Sequence, residues 1–225
     1  MTVMMPTLFQ FFNESEHSSD KWDGYFGVYE KHLCKFPLVG HPLTVVEVGV
    51  QQGGSLDMWA KYFPKESKII GIDNNPECAK LKYSNPDIKV VIGDQGDPAF
   101  WDKFLADHPD PIDVFIDDGG HFMDQQITTF EKVFPRIAQG GVYICEDCHT
   151  SYMPYNGGGL HRKGTWIEYA KSYADTLHKD WHQELDTEQE RRNRIGEDLT
   201  SVAFYDSMVV FEKNGKRRLK RVFPK

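Results

Sequence analysis

Carboxylates recur in this sequence where short apolar runs end. Glu47 and Gly49 close residues 43–50 (LTVVEVGV) and lead into Gly53, Gly54 and Ser55. Asp73 closes 68–73 (KIIGID), Asp94-Gln95 follows 88–92 (IKVVI), Asp117 closes 112–117 (IDVFID), and Glu146-Asp147 closes 142–147 (VYICED). Asp118 and His121 follow Asp117 in the string DDGGH. Two chemistries suit this set. Asp118 with the Glu146-Asp147 pair offers several carboxylate oxygens, the ligands a hard divalent cation such as magnesium takes while keeping water for exchange. His121 has an imidazole whose ordinary pKa of about 6.5 suits a general base at neutral pH.

The glycines after Glu47 do not carry the dinucleotide signature. That signature is G-x-G-x-x-G, which seats a pyrophosphate on a helix N-terminus. Gly49, Gly53 and Gly54 are spaced differently, and an acid two residues before Gly49 suits a cationic ligand better than a phosphate. The order E-x-G-x-x-x-G resembles the first motif of class I S-adenosylmethionine methyltransferases. Asp73 is then placed to accept both ribose hydroxyls, and Asp94 to hold the adenine amino group. Ser55, Gln95 and Asp117 share the rim and complete the expected cofactor set.

The elements that must position these residues alternate along the chain. Runs rich in Val and Ile, apolar on both faces, suit a parallel sheet covered on both sides. Between them, Leu56, Trp59, Ala60 and Phe63 recur at helical spacing, as do Phe100, Phe104 and Leu105, and Ile127, Phe130, Phe134 and Ile137. Trp166, Tyr169, Ala170, Tyr173, Ala174 and Leu177 predict a further helix. Gly140-Gly141 is expected to close a helix before the next strand. The alternation reads as a doubly wound α/β fold, whose ligands bind beyond the carboxyl ends of the strands. Residues 200–213 (TSVAFYDSMVVFEK) predict two strands turning at Asp206-Ser207, an antiparallel hairpin at the sheet edge. The seven basic residues from 213 to 225 read as a solvated edge.

Composition excludes several classes. The chain has 225 residues, 40% hydrophobic and 13% aromatic, which supports a real core. Its net charge of −8 disfavours general phosphate-backbone binding, so no nucleic-acid partner is expected. No apolar run reaches the roughly 18 residues of a membrane span, and the N-terminus lacks a basic signal-peptide region. A cytoplasmic location is expected. Cys34, Cys78, Cys145 and Cys148 are too sparse for a disulfide scaffold, and the lone C-x-x-C is expected to fill the end of a buried strand.

Longer stretches sharpen the reading. Residues 20–33 (DKWDGYFGVYEKHL), 45–64 (VVEVGVQQGGSLDMWAKYFP), 115–121 (FIDDGGH), 140–152 (GGVYICEDCHTSY) and 201–213 (SVAFYDSMVVFEK) carry the pattern. With them the chain resembles the metal-dependent sugar O-methyltransferases of the mycinamicin and macrocin type. That group includes rhamnosyl and polysaccharide O-methyltransferases, and cephalosporin hydroxylase-like proteins stand nearby. The resemblance covers nearly the whole chain. It implies a Rossmann-like class I methyltransferase sheet, mostly parallel with the antiparallel edge hairpin, and S-adenosylmethionine and Mg2+ as cofactors. Asp118 and Asp147 would be metal ligands with Glu146 as a third, and His121 the base that deprotonates a sugar hydroxyl. Residues 1–40 would form a helical lid over a catalytic domain of residues 41–225. The acceptor would be a small molecule or saccharide. Tyr25, His149, Tyr152 and Tyr155 are its candidate contacts, and a homodimer is the expected assembly. Gly120 departs from the family, where serine is frequent. Competing readings are an iron-dependent oxygenase, which favours two histidines and a carboxylate, a non-catalytic S-adenosylmethionine-binding module, and a nucleic-acid methyltransferase.

Overall fold

The computed structural model describes residues 6–215. Its centre is a seven-stranded sheet: β1 (Thr44–Val48), β2 (Lys68–Asp73), β3 (Ile88–Ile92), β4 (Ile112–Asp117), β5 (Ile137–Cys145), β6 (Leu199–Tyr205) and β7 (Met208–Lys213). The strand order is β3-β2-β1-β4-β5-β7-β6. β1 to β5 run parallel, and β7 runs antiparallel between β5 and β6. The order reverses between β1 and β4, which leaves a crevice at their carboxyl ends.

Side-chain alternation explains why both faces are covered. Val45, Ile69, Val114 and Val142 face one apolar layer, with Leu56 and Trp59 of α3 (Gly54–Tyr62). Val46, Ile70, Phe115 and Tyr143 face the other, with Trp101 of α4 (Pro98–Asp107) and Phe130 of α5 (Met123–Val133). The expected hairpin at Asp206-Ser207 is present. Cys145 ends β5 and Cys148 sits buried in the next turn. Among the described residues no helix is long and apolar enough to cross a membrane.

The N-terminal helices, numbered here α1 (Leu8–Asn13) and α2 (Asp23–Leu33), pack into the first layer through Leu8, Tyr29 and Leu33. The chain between them crosses the start of α3, where Gly54 N donates to Ser18 O at 3.1 Å and His17 N to Asp57 Oδ2 at 3.0 Å.

Two local expectations are corrected. Gly140-Gly141 does not end a helix: α5 stops at Val133, Phe134-Pro135 follows in a short 3-10 turn, and both glycines lie inside β5. They form an irregularity where the β4–β5 register shifts, with Gly140 at φ +85°. The stripe over 166–177 is not one helix. It divides at Ser172, whose hydroxyl donates to Tyr169 O at 2.6 Å, into α6 (Trp166–Lys171) and α7 (Tyr173–Leu177). Ala174 and Leu177 are exposed, and Thr176 takes the buried place. The last helix among the described residues is α8 (Thr187–Ile195), polar except for Ile195, which packs against the second apolar layer.

Candidate active site

The loop after β1 comes closer to its neighbours than a side chain would allow. Gly49 has φ +93°, and a Cβ there would lie 1.8 Å from the carbonyl oxygen of Asp118. The loops following β1 and β4 therefore meet backbone to backbone. Asp73 holds this turn from the end of β2: its Oδ2 accepts from Val50 N at 2.9 Å and Gln51 N at 3.1 Å.

Several strand-end carboxylates turn inward. Glu47 is buried and accepts from Ser55 Oγ at 2.7 Å and Trp59 Nε1 at 3.0 Å. Burial raises its pKa, with Lys21 opposing. Asp117 is buried beneath the rim, accepting from Tyr143 OH at 2.8 Å and Gln95 Nε2 at 2.9 Å. Burial pushes it up to about 7 despite those bonds. Gln95 Oε1 accepts from Gly120 N at 2.8 Å, so Gln95 ties the β3 loop to the β4 loop. Asp94 is exposed at the mouth.

Lys21 sits among the acids at the centre. Its side chain is 2% exposed, and its Nζ donates to Asp118 Oδ2 at 2.6 Å, Glu146 Oε2 at 3.0 Å and Glu47 Oε1 at 3.3 Å. Burial works against this charge, yet Asp118 and Glu146 outweigh it and hold the ammonium well above its usual range. Glu146 also accepts from Tyr29 OH. Burial and nearby Asp118 push Glu146 well above the usual carboxylate range. Burial likewise raises Asp118, with Lys21 opposing.

Asp118, His121 and Asp147 form the only group among the described residues whose ligand atoms could surround one ion, all within 4.8 Å of each other. His121 Nε2 lies 3.9 Å from Asp118 Oδ1 and 3.5 Å from Asp147 Oδ2. Its Nδ1 is buried without a partner. Both His121 (φ +56°) and Asp147 (φ +50°) hold the left-handed backbone region, a strain that collects at functional sites. Tyr25 OH donates to Asp147 Oδ1 at 2.5 Å. Asp118 and Asp147 converge with carboxylate oxygens, the ligands a hard cation that keeps water takes, so the residues present suit magnesium. They do not supply the two imidazoles of an iron oxygenase site, because His149 Nδ1 contacts Ser207 Oγ at 2.5 Å and lies 4.0 Å from Asp147.

One cavity of about 600 Å³ joins these parts. Gly49, Ser55, Asp73, Asp94 and Gln95 line one side, and Asp118, His121, Glu146, Asp147, His149 and Tyr25 the other. Glu47 and Asp117 stand behind its wall. Tyr152 and Tyr155 do not reach it: both are exposed, and Tyr155 lies against Phe122 in a neighbouring open cleft. Sequence reasoning expected the N-terminal segment only as a lid and gave Lys21, Trp22 and Tyr29 no roles of their own in the site. The stretch DKWDGYFGVYE was visible, but nothing in its spacing says that it folds onto residues 118 and 146.

Residues 46–148 match the family model described as a methyltransferase domain, and the strand order, the antiparallel β7 and the cavity at the switch point agree with that match. The relatives are more particular. The chain is 38% identical over 72% of its length, and 44% of the relative's, to 8-demethyl-8-alpha-L-rhamnosyl tetracenomycin-C 2'-O-methyltransferase of Streptomyces olivaceus. It is 33% identical to the 3'-O-methyltransferase for the 2-methoxy-rhamnosyl compound of the same organism, over 88% of this chain and 52% of the relative. A solved structure of the MycE methyltransferase from the mycinamycin biosynthetic pathway, in complex with Mg and SAH, superposes with a TM-score of 0.81. It is 26% identical and covers 94% of this chain and 55% of that one. The chain thus spans about half the length of the relatives it matches. The resemblance to sugar O-methyltransferases read from the sequence is borne out by these relatives.

Proposed function

We propose that this chain is a magnesium-dependent O-methyltransferase that moves the methyl group of S-adenosylmethionine to a sugar hydroxyl of a glycosylated small molecule. The shared cavity carries the reading, because it sets the turn at Gly49 opposite Asp118, His121 and Asp147. Asp73 and Asp94 would take the ribose and adenine, and the surrounding carboxylates favour a sulfonium cation. Glu47, Ser55, Gln95 and Asp117 act from the wall, holding the turn and the β4 loop. Asp118 and Asp147 would hold the metal, with Glu146 as the third acid of the set. Magnesium held there would supply Lewis-acid chemistry that lowers the pKa of the acceptor hydroxyl.

His121 then removes the hydroxyl proton as the oxygen attacks the methyl carbon in line. The carbon–sulfur bond breaks, and its electron pair stays on sulfur as a neutral thioether. General-base help of this kind is worth roughly 10²–10⁴ in rate, and the cavity walls add positioning. Residues 1–40, with the DKW-x-x-Y stretch at 20–25, would form the lid over the cofactor, ahead of a catalytic domain of residues 41–225. Tyr25 and His149 line the acceptor side, and Tyr152 and Tyr155 would meet only the outer part of a large acceptor. A homodimer is part of the proposal, although Phe9 and Phe12 pack on Phe26 of their own domain. The free cysteines agree with a reducing, cytoplasmic location.

Calorimetric titration of S-adenosylhomocysteine, with magnesium and then with chelator, tests the cofactor. A panel of neutral glycosides tests transfer. Micromolar binding and a methylated glycoside are expected, and no binding in either condition sinks the proposal.

A further inference from the structure

We propose that Trp22 is the platform on which the acceptor sugar ring stacks. The inference rests on the proposed methyl transfer to a sugar.

Trp59, Trp101 and Trp166 are fully buried; Trp22 and Trp181 are exposed, at 62% and 72%, and of these two Trp22 alone lines the cavity. An indole left in water forgoes a large burial energy. This one is also held in place. It is the residue before the first turn of α2. Lys21 on one side is bonded to Asp118 and Glu146. Tyr25, three residues on, is bonded to Asp147. The backbone carrying the indole is therefore tied to the same carboxylates that surround the reacting hydroxyl.

The indole lines the cavity that contains His121 and Asp147. It meets the His149 ring edge-on, with centroids 6.4 Å apart at 89°. A pyranose has C–H-rich faces and a hydroxyl-bearing edge. A face laid on an aromatic plane leaves the edge free for a metal and a base. Trp22 offers the plane, and Asp118, His121 and Asp147 take the edge. Asp20, next to Trp22 in the chain, also lines the cavity.

The test uses wild type, Trp22→Ala and Trp22→Phe with magnesium and S-adenosylhomocysteine. The probe for binding is methyl α-L-rhamnopyranoside, followed by saturation-transfer NMR to its ring C–H protons. Wild type and Trp22→Phe should show transfer, and Trp22→Ala should lose it. With an active glycoside the acceptor KM should rise about tenfold in Trp22→Ala, ~1.4 kcal/mol. Turnover should change less than about threefold, and cofactor affinity less than about twofold. Unchanged KM and saturation transfer in Trp22→Ala would overturn the proposal. So would a fall in assembly state on sedimentation, which would make Trp22 an interface residue. A wild type that binds no S-adenosylhomocysteine fails earlier, at the methyl-transfer reading itself.

Discussion

Lys21 Nζ lies 2.6 Å from Asp118 Oδ2, inside the wall of the candidate active site. The two residues stand 97 positions apart in the chain. The contact places a fixed positive charge among Glu47, Asp118 and Glu146. It also anchors the N-terminal segment to the sheet beside the point where Asp118, His121 and Asp147 converge.

Lys21→Met should be strongly destabilising. Removing one partner of a buried ion pair leaves uncompensated charge and typically costs about 3–5 kcal/mol. Urea denaturation monitored by circular dichroism reads this directly. Magnesium should raise the midpoint of the variant more than that of wild type, because a cation then offsets the stranded carboxylates. Equal midpoints for variant and wild type would show that the cluster does not need Lys21.

His121 has two roles open to it, base and metal ligand, and one variant separates them. His121→Ala should lower turnover by roughly 10²–10⁴. Magnesium affinity, followed by calorimetry, should fall far less, because Asp118 and Asp147 remain. A parallel loss of both would assign His121 to the metal. Asp147→Asn should instead weaken magnesium binding first, while its amide oxygen can still accept from the Tyr25 hydroxyl.

Gly49→Ala should abolish cofactor binding. The new Cβ would sit 1.8 Å from a backbone oxygen, at a φ of +93°. Left-handed strain alone costs of order 1–3 kcal/mol, and backbone cannot move aside as a flexible side chain can. Loss of S-adenosylhomocysteine binding, together with a lowered unfolding midpoint, is the expected pair of readouts. Wild-type affinity in this variant would mean that the loops after β1 and β4 do not meet as described.

Far from the cavity, Glu212 provides a pH-dependent contribution. Its Oε1 lies 3.0 Å from His32 Nδ1, and its Oε2 accepts from Ser201 Oγ at 2.7 Å. Burial alone would raise its pKa, but these bonds outweigh it and hold the carboxyl below its usual range. A lowered folded pKa gives stability that is present above the ordinary value of about 4.3 and is lost as pH falls through the folded one. Glu212→Gln should therefore cost about 1 kcal/mol at pH 7, less where water screens the pair. The difference should close in acid, and urea midpoints measured across the pH range check it.

Much of the sheet was legible because strand ends are local. Val45 and Val46 sit on opposite faces whatever lies beyond them, so two-sided apolar runs mark a covered parallel strand. Gly140-Gly141 misled because a helix terminus and a strand irregularity both use positive φ, and residue type alone does not choose between them. Ser172 misled because its hydroxyl can serve solvent or the preceding turn with the same sequence around it.

By itself the sequence determined which residues could form a rim, since strand periodicity places Glu47, Asp73, Asp117 and Glu146 at or near carboxyl ends. It also carried the family resemblance. Tertiary structure alone decided which of those acids face the cavity. Glu47 and Asp117 turn to Trp59 and Tyr143, while Asp118 and Asp147 converge on His121. It alone brought Lys21 to Asp118. The reason is that a charged side chain settles where its partners and desolvation balance, and those partners come from elements far along the chain.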